Sequence, residues 1–212
     1  MTNPILRREV EAAVQSLKKG KSAGVDNIPA ELVQEGGEDV ITAFTTICNS
    51  QSLVITLPKK GKLQQCQNYR TISLISHPST VMLKIILNKL KPQAEKIIAE
   101  EQAGFRAGRS TAEQIFNLQI LSEKYLQHQQ DICHVFIDFK EAFDRVWHAA
   151  LWATMRKYIS TNLIRFIKNL YDKATSAVLF SNNIGDWFRT IVGVQQGCLL
   201  SPTVFNIFLE GS

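Results

Sequence analysis

The stretch that decides the fold is CHVFIDFKEAFDRVWHAALWATMRKYI, which covers residues 133–159. It begins with an apolar run, 133–139, that predicts a buried strand and contains the carboxylate of Asp138. The part from 141 to 159 repeats apolar pairs at helical spacing, which predicts an amphipathic helix. A carboxylate at the end of a buried strand is costly unless it is paired or binds a metal. Asp138 is therefore the first candidate functional residue.

The carboxylates of this stretch also have simpler interpretations. Asp138 could cap the following helix or pair with Arg145, and the local sequence does not exclude either role. Asp144 lies on the predicted helix, where an exposed residue paired with Arg145 or His148 is the simpler interpretation.

The residues before this stretch predict helices and one basic hairpin. We expect Asp26 or Asn27 to cap a helix that Pro29 starts, and Ser110 or Thr111 to cap another. Further helices are expected at 5–19, 38–50, 78–99 and 112–128, and strands at 52–60 and 69–76.

The residues after it predict a helix at 162–173, a hairpin that turns near 182–185, and a glycine-containing loop, GVQQGC (193–198). Ser201 and Pro202 then open a last helix. Such a loop can bring backbone close to a substrate, although most such loops are only turns. The order of elements predicts an α+β fold with mixed layers, and it excludes a Rossmann fold and an all-β sandwich.

Composition and charge limit the classes of protein to which this chain can belong. Of the 212 residues, 45% are hydrophobic and 20% are charged, which is typical of a globular domain and excludes a disordered tail. Residues 57–110 carry ten Lys and Arg against three Asp and Glu. Their excess of positive charge is therefore larger than the net charge of the whole chain, which is +5. A basic segment of this kind indicates a polyanionic partner, with a solvated lysine-rich surface as the alternative.

Cysteines and apolar runs exclude other classes. There is no CxxC pair and no cluster of Cys and His, which argues against a disulfide framework and a zinc finger. No apolar run approaches the roughly 18 residues of a membrane span, and the first residues do not form a secretory signal. We therefore expect an intracellular protein with no membrane partner, in the nucleus or the cytoplasm.

Five segments together resemble the reverse transcriptase domain of non-LTR (LINE-like) retrotransposons, of the endonuclease–reverse transcriptase type. They are KKGKSAGVDNIPAELV (18–33), LPKKGK with QNYRTISL (57–74), EQAGFRAGRST (101–111), FIDFKEAFDRV (136–146) and GVQQGCLLSPTVFNIFLE (193–210). The resemblance implies an α+β right-hand polymerase fold. Its fingers-like region would be 1–130, with the basic hairpin at 52–76, and its incomplete palm would be 131–212.

The resemblance also implies roles for residues of the last two segments. Asp138 resembles the first catalytic, metal-binding aspartate, with the carbonyl of Phe139 beside it. Phe143 resembles the steric gate against a ribose 2′-OH. Gln196 and Gly197 resemble the pair that lies near the nascent base pair and the template.

The basic residues receive roles in the same way. Lys59, Lys60 and Arg70 resemble the residues that meet the incoming triphosphate, and Lys62 and Arg106 are expected to bind nucleic acid. The implied reaction is RNA-templated DNA synthesis from dNTPs on a DNA primer. It uses two Mg²⁺ ions and no small-molecule cofactor, and two ions can clamp the attacking and leaving oxygens.

The chain departs from the family pattern in its carboxylates. The family continues to an aromatic-x-Asp-Asp hairpin, and no Asp-Asp pair occurs here. We therefore expect a truncated copy that does not polymerise by itself and whose strand 133–138 leaves apolar side chains uncovered. The alternatives are a catalytically dead nucleic-acid-binding remnant and a domesticated protein-interaction module.

Overall fold

The computed structural model describes residues 7–24, 26–36, 51–59, 62, 64–65, 68–180 and 183–211. The helix predicted at 38–50 and the side chain of Lys60 lie outside these residues.

One mixed sheet contains the strands of the described part of the chain. Its strands are β1 (Gln51–Pro58), β2 (Tyr69–Ile75), β3 (Thr175–Phe180), β4 (Asn183–Ile184) and β5 (Phe188–Arg189). The order is β2-β1-β3-β4, with β5 also paired to β3. β1 is antiparallel to β2 and parallel to β3, so Leu53 lies opposite Leu74 on one side and beside Ala177 on the other. The strand pairing of both predicted hairpins is confirmed, but Asn183 and Ile184, which were predicted to lie in the second turn, form β4 instead.

All but one of the described helices pack on other helices. The helices are α1 (Arg7–Gln15), α2 (Ala30–Glu35), α3 (His77–Ala94), α4 (Thr111–Gln127), α5 (His148–Tyr158), α6 (Thr161–Asp172) and α7 (Ser201–Leu209). The described residues contain no helix long and apolar enough to cross a membrane.

Local sequence explains where several helices begin. The Ser110 hydroxyl accepts from the Glu113 N–H while the Glu113 carboxylate accepts from the Ser110 N–H, which is the capping box that starts α4. The predicted cap of α2 is wrong, because Pro29 itself occupies the N-cap position and the Asp26 carboxylate accepts from the Ile28 N–H instead.

The main core joins α3, α5, α6 and α7. Leu90, Leu151, Met155, Ile167 and Ile207 are completely buried in it. A smaller core lies between α1, α2 and the other side of α3. These contacts fix α7, and therefore the loop that precedes it, against the rest of the molecule.

The strand predicted at 133–138 is wrong. These residues form no regular element, and Phe136 is 82% exposed. β1 and β3 already have partner strands on both sides, and residues 133–138 pair with no described strand. α4 also buries none of its side chains. The residues from 111 to 139 therefore present apolar side chains to solvent.

The helix predicted at 141–159 is interrupted. A short 3₁₀ turn, Phe143–Arg145, comes first, and α5 begins only at His148. Glu141 has a φ of 56°, and Val146 and Trp147 are extended, so the backbone leaves the helical region on both sides of the turn. This 3₁₀ turn brings Phe143 and Asp144 to the site described next.

Candidate functional site

A cavity of about 530 Å³ lies where the β1–β2 hairpin, the 3₁₀ turn and the loop before α7 meet. Five residues that the sequence singles out line it: Lys59, Arg70, Phe143, Gln196 and Gly197. They come from three distant parts of the chain, so they lie together because of the fold and not because they are close in sequence.

Backbone hydrogen bonds join the loop before α7 to the 3₁₀ turn. The N–H of Gly193 donates to the Val146 carbonyl at 2.9 Å, and the N–H of Val194 donates to the Phe143 carbonyl at 2.7 Å. Gly193 has a φ of 83°, and a Cβ there would lie 2.8 Å from the Asp144 carbonyl oxygen. Only glycine fits this approach without a shift.

Gln196 is held from two sides. Its side-chain nitrogen lies 3.3 Å from each carboxylate oxygen of Asp144, and its carbonyl accepts from the Ser73 N–H of β2 at 2.8 Å. Asp144 therefore pairs with neither Arg145 nor His148 in the described structure. Arg145 forms an ion pair with Glu141, and the His148 ring nitrogen lies 2.7 Å from the Gly193 carbonyl.

Aromatic rings form one wall of the cavity. The ring of Phe143 stacks on Phe205 of α7 at 4.7 Å and meets Phe105 at 5.9 Å with the planes 86° apart. Phe205 is buried, so it fixes Phe143 from behind.

Basic side chains lie at the end of the β1–β2 hairpin. Lys59 and Arg70 line the cavity and are exposed, and the Lys59 N–H donates to the Asn68 carbonyl. Lys62 is exposed and does not line the cavity, and its carbonyl accepts from the Asn68 side chain at 2.7 Å.

Comparison with known proteins identifies the family. Residues 57–212 match the family described as reverse transcriptase (RNA-dependent DNA polymerase). The chain belongs to the reverse transcriptase family. The resemblance seen in the sequence is thereby confirmed.

Relatives of this reverse transcriptase chain come from non-LTR mobile elements. It is 29% identical to the probable RNA-directed DNA polymerase from transposon BS of Drosophila melanogaster, over 97% of this chain and 24% of that protein. It is 30% identical to the corresponding protein from the X-element of the same species, over 74% of this chain and 18% of that protein. The RNA-directed DNA polymerase from mobile element jockey of Drosophila funebris is 26% identical, over 97% of this chain and 24% of that protein. The chain thus spans about a quarter of the first of these relatives.

The predicted metal-binding residues of this reverse transcriptase chain lie apart from the cavity. Asp138 and Phe139 are exposed in the irregular segment and do not line it. The carboxylates that do line it belong to Glu141 and Asp144, and both are engaged by protein partners. Among the described residues, no three His, Cys, Asp or Glu side chains come together to hold a metal ion. These residues do not fit a two-magnesium site, and we derive no metal-dependent step from them.

Arg106 has partners within the protein. Its guanidinium donates to the Glu95 carboxylate at 2.9 and 3.1 Å and to the carbonyls of Ala99 and Gln102 at 2.6 and 3.2 Å. Its side chain is only 9% exposed and does not line the cavity. These contacts tie the loop at 101–110 to the end of α3.

Sequence reasoning gave no role to five residues of the cavity: Tyr69, Phe105, Glu141, Ala142 and Cys198. All of them lie inside segments that the family resemblance already contained, but neither spacing nor charge singles them out. Cys198 is buried, and burial raises the pKa of its thiol. A neutral, buried thiol is a poor nucleophile, so Cys198 contributes packing at the base of the cavity.

Proposed function

We propose that this chain supplies the nucleotide-binding and template-binding surface of an RNA-directed DNA polymerase of a non-LTR retrotransposon. The observation that carries the proposal is the meeting of Lys59, Arg70, Phe143, Gln196 and Gly197 at one cavity. The partners would be an RNA template, a DNA primer and a dNTP.

The chemistry of the cavity supports a nucleotide as its ligand. Exposed cations at the hairpin suit phosphate groups, which form strong charge-assisted hydrogen bonds. Phe143, backed by Phe205, presents a fixed apolar surface against which a sugar can pack, as a steric gate requires. Lys60 and Lys62 would extend the basic surface along the nucleic acid.

In this proposal residues 1–130 correspond to the fingers and 131–212 to the front of the palm. The family resemblance would assign Asp138 and the Phe139 carbonyl to the Mg²⁺ ions of the complete polymerase, but both lie apart from the cavity, so the proposal contains no metal-dependent step. Arg106 would act on the template side through the loop at 101–110 that it anchors.

A nucleic-acid-binding role without catalysis is the second candidate. It is favoured by the separation of Asp138 from the cavity carboxylates and by the absence of a three-ligand cluster among the described residues. Primer extension on an RNA template with Mg²⁺ or Mn²⁺ tests whether this chain catalyses by itself. We expect no extension from these 212 residues, and extension that is lost in Asp138→Ala would contradict this.

Binding of a labelled primer–template tests the proposal itself. We expect affinity to fall steeply with salt, because released counterions drive such binding. The double variant Lys59→Ala/Arg70→Ala should bind more weakly. The control, Arg156→Ala/Lys157→Ala, removes the same charge from exposed positions on α5. Equal losses in the two double variants would show that net charge, and not the cavity, carries the binding.

A further inference from the structure

Phe105 has an unfavourable backbone conformation at the cavity. Its φ is 61°, a left-handed conformation that bulky side chains rarely adopt. Its side chain is nevertheless 61% exposed, and it lines the cavity. Strained residues persist only where the surrounding structure holds them, and they concentrate at ligand sites.

The residues on either side of Phe105 hold it in place. The Gly104 carbonyl accepts from the side chain of Asn206, which is buried in α7, at 2.9 Å. Arg106 is fixed by the Glu95 carboxylate and the Ala99 carbonyl. The backbone is therefore anchored to α7 on one side and to α3 on the other, and the ring between them projects into the cavity.

Packing alone does not account for this position. Burial of an aromatic ring stabilises a fold roughly in proportion to the area it covers, and most of this ring remains uncovered. Its ring meets that of Phe143 edge to face, whereas Phe205 stacks on Phe143 face to face. An exposed, fixed aromatic ring beside the cations Lys59 and Arg70 matches the pairing of stacking surface and phosphate contact that nucleic-acid sites use.

We propose that Phe105 is a binding residue whose ring stacks on a nucleobase in the cavity. The inference rests on the proposed function, since it requires a nucleotide ligand. The base could belong to the unpaired template strand or to the incoming nucleotide, because both offer the same flat aromatic face.

The test compares Phe105→Asn with wild type. Asparagine tolerates a positive φ better than most residues, so this variant removes the ring without adding strain. Phe105→Tyr keeps a ring and should bind as wild type does. The matched control is Phe116→Asn, which removes a 60% exposed ring from α4, away from the cavity.

Two pairs of probes identify the source of the base. The first pair is a labelled RNA–DNA primer–template and the same duplex with an abasic residue at the first unpaired template position. The second pair is dTTP and inorganic tripolyphosphate. For the pair that contains the stacked base, Phe105→Asn should weaken binding by about 5- to 150-fold, while binding of its base-free partner stays unchanged.

Several outcomes would overturn the inference. One is equal weakening of base-containing and base-free probes, and another is no weakening at all. A third is a large fall in the unfolding midpoint of Phe105→Asn, which would mean that the ring supports the fold. A wild-type chain that binds none of the probes would contradict the proposed function as well. Binding by wild type that is insensitive to Phe105 would contradict only this inference.

Discussion

The side-chain nitrogen of Gln196 lies 3.3 Å from both carboxylate oxygens of Asp144. This contact connects the loop before α7 to the 3₁₀ turn, beside the two backbone bonds made by Gly193 and Val194. Because the amide nitrogen faces Asp144, the side chain of Gln196 has a defined orientation at the cavity. The relationship predicts that the two residues act as a unit.

A double-mutant cycle measures this unit. Asp144→Ala and Gln196→Ala should each lower the free energy of unfolding by about 0.5–1.5 kcal/mol. The loss in the double variant should be smaller than the sum of the two single losses, because either change alone breaks the contact. Urea unfolding gives the values. Asp172→Ala, at an exposed carboxylate on α6, is the control and should be additive with Gln196→Ala. Additivity of Asp144 and Gln196 would show that their contact contributes nothing.

Gly193→Ala should destabilise the protein more than Gly20→Ala. Both glycines have positive φ, 83° and 68°, so both changes carry the strain of a left-handed alanine. Only at Gly193 would the new Cβ meet backbone, 2.8 Å from the Asp144 carbonyl oxygen, whereas nothing lies within 4 Å at Gly20. We expect a further loss of about 1–3 kcal/mol at Gly193, as is typical of steric overpacking. Equal losses in urea unfolding would mean that the loop shifts freely.

Stability should fall at alkaline pH. Burial raises the pKa of the Tyr171 phenol and of the Cys198 thiol. In the unfolded chain the cysteine thiol loses its proton above about pH 8.5 and the tyrosine phenol above about pH 10, while the native state keeps both protons. The unfolded state then binds fewer protons, so the free energy of unfolding decreases as pH rises, by about 1.4 kcal/mol per pH unit for each such group. Below about pH 8 both states are protonated and these groups cause no change.

Urea midpoints at pH 7.5 and pH 10.5 check this dependence. Tyr171→Phe removes one of the two groups and should flatten the decline. Tyr158→Phe changes a half-exposed tyrosine on α5 and is the matched control. A decline in Tyr171→Phe as steep as in wild type would contradict the role assigned to the buried phenol.

Local patterns predicted those parts of the fold that depend on local contacts. β-Branched residues before a proline marked β1, and alternation of apolar and polar residues marked β2. The local sequence also placed a helix cap at Ser110 or Thr111, and Ser110 is the cap. The strand at 133–138 depends on a neighbouring strand, which no local pattern can supply, and this prediction failed. The positive φ of Phe105 arises from anchors on α3 and α7, far away in sequence. Periodicity therefore did not reveal it.

The uncovered segment at 133–139 predicts self-association. Val135, Phe136 and Ile137 are 77–82% exposed and extend from α4, which buries no side chain. A contiguous apolar stretch with unpaired backbone is a template for pairing with other chains. Ile137→Lys should therefore increase the soluble, monomeric fraction, and it should leave the unfolding midpoint unchanged because little burial is lost.

Ile191→Lys is the matched control for this effect, since Ile191 is 79% exposed but lies in another part of the chain. Light scattering and size-exclusion chromatography over a range of concentrations compare the two variants. Because a lysine adds the same charge at either site, a gain in solubility that is confined to Ile137→Lys identifies the segment itself as the cause. Equal gains would assign the effect to net charge. A wild-type chain that stays monomeric at high concentration would contradict the prediction, because the exposed side chains would then have to be covered within the chain.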